Sequence, residues 1–192
     1  TYDYSSGKVT QITEPNGKVT SYDYDGLDRI SEVAGTIANG GTEILKSISY
    51  NTTAHPQYSK TTSYTGTKSQ DVYTYTDGFG KTIQTKSEMD SGWVTLDTVY
   101  DEMNRVAKQS LPYETSSSSH SNATSTNNFL TSFTYDALGR VLNTTNAKGT
   151  TQTSYDGFET SITDAENNQK DLVTDAFVNL VQVKEHNDGS IY

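Results

Sequence analysis

The chain has no cysteine, three prolines, one tryptophan and no apolar run long enough to span a bilayer as a helix. Without cysteine there are no disulfides and no thiolate metal sites, and either redox compartment is open to it. Basic residues are scarce too: 14 Lys and Arg face 24 Asp and Glu, for a net charge of −10. Neutralising phosphates takes clustered Lys and Arg, so a nucleic-acid partner is disfavoured, as is an anionic membrane surface. The acidity itself serves solubility. No heptad or sustained 3.6-residue period occurs, so helix should be minor. No basic-then-apolar leader opens the chain. Thr1 to Tyr4 already alternates as a strand, and the expectation is an internal piece of a longer protein.

Only 31% of the residues are hydrophobic and the mean hydropathy is −0.72. That balance alone would suggest disorder. Against it stand 14 Tyr and 5 Phe in a Thr-rich background. Tyr and Thr are strand formers whose polar tips score as hydrophilic. The combination suits a thin sheet with two working faces and little central core.

One phrase recurs. Tyr135-Asp136-Ala137-Leu138-Gly139-Arg140-Val141 repeats as Tyr24-Asp25-Gly26-Leu27-Asp28-Arg29-Ile30 and as Tyr100-Asp101-Glu102-Met103-Asn104-Arg105-Val106. Tyr155-Asp156-Gly157-Phe158 opens another copy that decays into Glu159-Thr160-Ser161. Asp77 to Gly80 and Asp175 to Val178 keep the Asp and an apolar centre behind a Thr. Asp136 and Asp156 are 20 residues apart, and Asp156 and Asp175 are 19, the spacing of repeated supersecondary units. Between copies lies a second turn, as at Glu14-Pro15-Asn16-Gly17, Asn146 to Gly149 and Asp164 to Asn168.

The residue types explain the phrase. Asp can accept hydrogen bonds from backbone N–H groups just ahead of it and so start a turn. Gly, Asn or Asp at the fifth place suits positive φ, as in a type I turn closed by a bulge. Gly80 and Gly139 meet that demand best. Val178 and Glu159 do not, so their turns should be strained or different. The apolar residue at each turn centre is expected to pack against a neighbour. A device repeated in every unit is a scaffold rather than a catalytic dyad, so Tyr24, Asp25, Asp77, Gly80, Tyr100, Asp101, Tyr135, Asp136, Gly139, Arg140, Tyr155, Asp156 and Asp175 are read as structural.

These residues resemble the YD repeat of the Rhs family, which includes polymorphic Rhs toxins, the B and C components of Tc toxin complexes, and the teneurins. The resemblance runs from Tyr2 to about Gly189. It implies an all-β fold of tandem antiparallel β-hairpins in a curved sheet, part of a spiral β-shell. It also implies a parent protein that is secreted or at the cell surface. The implied partners are neighbouring repeats of the same parent and an enclosed toxin or effector segment. Family toxins carry an Asp-based self-cleavage block; no matching block occurs here, so no catalytic residue is carried over.

Residues 1–192 read as a single repeat segment, with a flexible Ser/Thr/Asn-rich loop inserted at 114–128. The 52 residues from Asp25 to Asp77 amount to about two units, so a degenerate copy should hide near Tyr50-Asn51 or Tyr64-Thr65. Val94, Leu96 and Tyr100 alternate with Trp93, Asp97 and Val99, which suggests a strand buried on both faces. His55, His120 and His186 lack ligand-like spacing, so no metal is expected, and no cofactor motif is present. Asn51, Asn122 and Asn143 begin glycosylation sequons, relevant to a secreted eukaryotic protein. An alternative to encapsulation is a module whose Tyr and Trp faces, Trp93 included, bind a glycan or receptor.

Overall fold

The chain is described by a computed structural model over residues 1–37, 40–122, 131–187 and 190–191. Every regular element among the described residues is a β-strand. The chain divides into two compact units, Thr1–Leu96 with Pro112–Ser121, and Asp97–Leu111 with Asn122–Tyr192. A single continuous segment was expected. The division falls where the Ser-rich stretch returns to the first unit.

In the first unit, β1 (Tyr2–Asp3) and β2 (Lys8–Val9) form a short ribbon. An antiparallel meander follows through β3 (Gln11–Thr13), β4 (Val19–Tyr24), β5 (Ile30–Thr36), β6 (Thr42–Asn51), β7 (Gln57–Thr65), β8 (Lys68–Thr76) and β9 (Thr82–Met89). The next strand, β10 (Gly92–Tyr100), serves both units. Its Thr98–Tyr100 end pairs with β11 (Val106–Gln109) in the second, and its Trp93–Thr95 end pairs with β12 (Tyr113–Thr115) in the first. The second unit continues from β11 through β13 (Thr131–Tyr135), β14 (Val141–Asn146), β15 (Gly149–Asp156), β16 (Glu159–Thr163), β17 (Gln169–Thr174), β18 (Leu180–Asn187) and β19 (Ser190–Ile191), each antiparallel to the one before. The expected all-β fold of tandem hairpins is what the chain adopts.

Burial is thin. Among the described residues Tyr75, 4% exposed, is the one buried apolar side chain. The accessible surface is 13015 Å², where a compact protein of this mass would expose about 9,000 Å². The buried polar positions are Gln84, Lys86, Thr95, Asp97, Ser110 and Asp171. With so little apolar burial, the hydrogen-bonded ladders and side-chain-to-backbone bonds carry an unusual share of the stability, at about 1 kcal/mol net each.

Three expectations change. β10 is not an apolar strand buried on both faces: its buried positions are the polar Thr95 and Asp97, and Val99 is exposed. Thr95 Oγ1 pairs with Thr115 Oγ1 at 2.8 Å, and among the described residues no buried side-chain nitrogen or oxygen lacks a hydrogen-bond partner, so that burial is tolerable. The stretch expected to be one exposed loop over 114–128 is tied down over its first part, where Tyr113–Thr115 is a strand and Ser117 to Ser121 lie against β8 and β9. Residues 123–130 lie outside the described residues. Finally, the apolar residues at the turn centres do not pack within this chain: Leu27, Phe79, Met103, Leu138, Phe158 and Phe177 are 60–85% exposed. The turn closes through backbone bonds to the Asp, so no apolar contact is needed to hold it.

Candidate functional site: the repeated turn and the Tyr75 face

Among the described residues, six turns led by Asp share one backbone design. In each, the Asp N–H donates to the carbonyl four residues on, and the N–H three residues on donates back to the Asp carbonyl. These bonds span 2.8–3.1 Å at Asp25, Asp77, Asp101, Asp136, Asp164 and Asp175. Each Asp Oδ1 accepts two further N–H groups, from the second and fourth residues after it, at 2.8–2.9 Å. Five of the six follow a register shift, at Tyr24, Thr76, Tyr100, Tyr135 and Thr174. The residue three after the Asp takes positive φ: Asp28 +67°, Gly80 +80°, Asn104 +63°, Gly139 +83°, Asn167 +67° and Val178 +67°.

The Asp164 turn was read from sequence as a different, Asn/Gly type. It has the same frame, and the cue it lacks, beside the Tyr that Asp77 and Asp175 also lack, is the apolar centre, where Glu166 stands. Glu14 to Lys18 follows the frame as well, with Gly17 at φ +81° and Asn16 Oδ1 taking the Lys18 N–H. The Tyr155-Asp156 copy departs from it. Asp156 pairs directly with Glu159, leaving a two-residue loop with Gly157 at φ +56°. So of the two misfits, the Glu159 turn differs and the Val178 turn is strained, since a β-branched residue there is an outlier.

The sixth residue of the phrase completes the turn. Arg29, Arg105 and Arg140 donate from Nε to Oδ2 of Asp25, Asp101 and Asp136 at 2.8, 2.8 and 2.6 Å. Asn168 and Asn179 do the same from Nδ2 at 2.9 and 3.0 Å. These bonds shift acidity. The Arg29 side chain, then its N–H, hold the Asp25 carboxyl below its ordinary range. The Arg105 N–H does so first at Asp101. At Asp136 burial pushes up but is outweighed by the bonds from Arg140 and Leu138. The Asn168 and Asn179 side chains lead at Asp164 and Asp175.

The Tyr of the phrase works on the preceding repeat. Tyr135 lies under Arg105, with the guanidinium carbon 4.6 Å from the ring centroid, and its hydroxyl donates to the Val106 carbonyl at 2.7 Å. Tyr155 does this with Arg140 at 4.1 Å and Val141 at 3.0 Å. Tyr24 uses Lys8 and Val9, at 4.9 and 2.8 Å. Tyr50 uses Arg29 and Ile30, at 3.9 and 3.0 Å. Tyr50-Asn51 is therefore the hidden copy, and Asn51 Oδ1 accepts from Thr53 and Ala54 N–H in place of the Asp. At these four copies the unit is clamped to the one before by a cation–π contact and a hydrogen bond.

The first unit also carries an aromatic face. Tyr58 and Tyr75 are cross-strand partners with ring centroids 5.4 Å apart, and Tyr73 lies 5.5 Å from Tyr58. Trp93 packs edge-on against Tyr73 at 5.3 Å, which is packing geometry. His55, Pro56, the three tyrosines, Ser118 and His120 border an open cavity of about 370 Å³. His186 pairs with Asp171 at 2.7 Å in the second unit. No cluster of three or more metal-ligating side chains occurs among the described residues. No helix among them is long and apolar enough to cross a membrane.

The comparisons agree with this geometry. The profile described as "Domain of unknown function (DUF6443)" matches residues 46–162, and the RHS repeat profile matches residues 2–42. No curated protein matches the chain. Among solved structures, the crystal structure of TcdB2-TccC3-TEV aligns at TM-score 0.76 and 12% identity, over 96% of this chain and 15% of that one. TcdB2-TccC3 without its hypervariable C-terminal region aligns at 0.74 and 12%, over the same shares. This chain thus spans a small part of the length of those it matches, and at such identity the likeness establishes fold. With the DUF6443 match spanning more than half its length and an RHS repeat before it, the chain belongs to the DUF6443 family and is built of YD/Rhs repeats.

Proposed function

We propose that the chain is a non-catalytic length of wall in a YD-repeat shell, and that the shell encloses a toxin or effector polypeptide of a secreted parent protein. The observation that carries this is the clamp. Tyr24, Tyr50, Tyr135 and Tyr155 each bind the preceding repeat, so the recurring residues are spent on continuity. The fold shared with TcdB2–TccC3 supports the same reading. The test is protease protection in the full-length parent. The enclosed segment should resist cleavage until denaturant opens the wall. A segment cut as fast as the free polypeptide would refute enclosure.

A second reading, glycan or receptor binding at a cell surface, draws on the cavity beside Tyr58, Tyr73 and Tyr75. It requires glycan-array binding that Tyr73→Ala abolishes. Because Trp93 is engaged with Tyr73, Trp93→Ala would act through packing.

A further inference from the structure

The Ser-rich stretch is held on β8 and β9 mainly by its main chain. Lys86 Nζ donates to the Ser117 carbonyl at 3.0 Å. Tyr75 Oη donates to the Ser118 carbonyl at 2.6 Å. Gln84 binds Ser121 at two points: Nε2 donates to the carbonyl at 2.7 Å, and Oε1 accepts the N–H at 3.1 Å. That amide pairing reproduces an antiparallel bridge, with a side chain in place of a strand. Ser side chains add little to the grip on the row: Ser121 Oγ sits at 3.5 Å from both Gln84 and Lys86, at the limit of a hydrogen bond, and Ser117 Oγ accepts Ser119 N–H within the strap itself at 3.1 Å. Thr115 Oγ1 contacts Lys86 Nζ at 3.3 Å and Thr95 Oγ1 at 2.8 Å, anchoring the start of the stretch.

The reading groups are buried and fixed, whereas Ser117 and Ser121 are exposed. Tyr75, Gln84 and Lys86 belong to adjacent strands, with Tyr75 directly opposite Gln84 and Tyr73 opposite Lys86. They form one rigid row of hydroxyl, carboxamide and ammonium groups. Such a row, spaced along an extended chain, recognises carbonyls and an N–H that every polypeptide has. It does not discriminate between side chains.

We propose that the Tyr75–Gln84–Lys86 row is a binding site for an extended, unfolded polypeptide, read through its main chain, and that residues 117–121 occupy it in cis. This deepens the wall reading and rests on it: it names what the wall would grip. A segment of another chain enters by displacing the strap. The open cavity beside Ser118, bordered by Tyr58 and Tyr73, leaves room for one of its side chains.

The test uses the whole 192-residue chain, with amide exchange at 117–121 and anisotropy of two labelled nonapeptides. One peptide copies residues 113–121; the other has Ala at the places of Ser118 and Ser121. In the chain, the double change S118A/S121A, which spares the Ser117 Oγ that accepts Ser119 N–H within the strap, should leave strap protection intact. Ser121→Pro removes the N–H that Gln84 accepts and should raise exchange about fivefold, the equivalent of one net hydrogen bond. Both peptides should bind the Ser121→Pro chain about fivefold tighter than the parent chain, for the same reason, and with equal affinity to each other. Gln84→Leu placed in the Ser121→Pro chain should abolish that binding, with Tyr75→Phe as a second variant should Gln84→Leu fail to fold. The proposal is overturned if neither peptide binds the Ser121→Pro chain, or if only the serine peptide does. Protection of cargo in the parent is measured separately, so a wall that encloses without gripping, or grips without enclosing, would be told apart.

Discussion

At the scale of single residues, Asp136 is the most connected atom set in its turn. Its carboxylate holds Leu138 N–H, Arg140 N–H and Arg140 Nε, and its backbone closes the loop twice. Asp136→Asn keeps an oxygen for the two N–H groups and loses the charge-assisted bond. Asp136→Ala loses all three. The melting temperature should therefore fall in the order parent, Asn, Ala, with the Ala variant down on the order of 6–12 °C for its three lost bonds; equal values would mean the backbone bonds suffice. Val178 is the opposite case. Its φ of +67° costs an L residue about 1–2 kcal/mol, and its side chain is exposed, so nothing compensates. Val178→Gly should raise the melting temperature by about 2–4 °C, and a fall would show that the valine makes a contact worth more than its strain. Much of this was legible in the chain itself. Asp, then a residue tolerant of positive φ three places on, specifies the turn by local chemistry. The exposure of Leu27, Phe79 and their counterparts was not legible, because a turn that closes on its own carboxylate gives no sign of what its tip touches.

At the scale of the hairpin, the clamp between repeats sets the cooperativity. Arg105 holds Asp101 in its own turn, covers Tyr135 of the next, and donates from Nη1 to the Asp136 carbonyl at 3.2 Å. Tyr135→Phe removes one hydroxyl bond, for about 1 kcal/mol. Arg105→Lys keeps the charge but gives up the planar fork that serves all three partners. A double-mutant cycle of Arg105→Ala and Tyr135→Ala should give a coupling of about 0.5–1 kcal/mol, the size of an exposed cation–π contact. The same cycle on Arg140 and Tyr135, which belong to one phrase, serves as the control and should be smaller. The reverse ranking would undo the clamp. Sequence alone showed Tyr, Asp and Arg as neighbours in one phrase. It did not show that the Tyr serves the phrase before, since that pairing depends on strand register rather than order. Tyr50 illustrates the gain: once the rule is known, Arg29-Ile30 points to it, although Asn51 has replaced the Asp. The Tyr75–Gln84–Lys86 row gave no sequence signal, because polar residues at alternate strand positions ordinarily mark a solvated face, and here a later stretch of chain covers them.

For the molecule as a whole, a thin apolar core leaves carboxylates in control of its acid limit. Asp3, Asp25, Asp101, Asp136, Asp164, Asp171 and Asp175 all have folded acidities displaced downward from 3.8. Asp171 moves furthest, to about 2, through bonds from His186, Ser161 and Gln169. In the unfolded chain the same groups bind protons near their ordinary value, so between the two values the unfolded state holds more protons. Stability from these groups is therefore complete above about pH 4 and declines as pH falls toward about 2, where the last folded carboxylates protonate. Thermal unfolding followed by circular dichroism should show a melting temperature that changes little from about pH 8 to pH 5 and drops steadily below about pH 4. Asp171→Asn should lower the plateau and flatten the final part of that drop, because it removes the group that titrates last. A melting temperature that held constant through pH 3, or rose, would mean that the aspartates are bystanders and that the ladders alone keep the repeats in place.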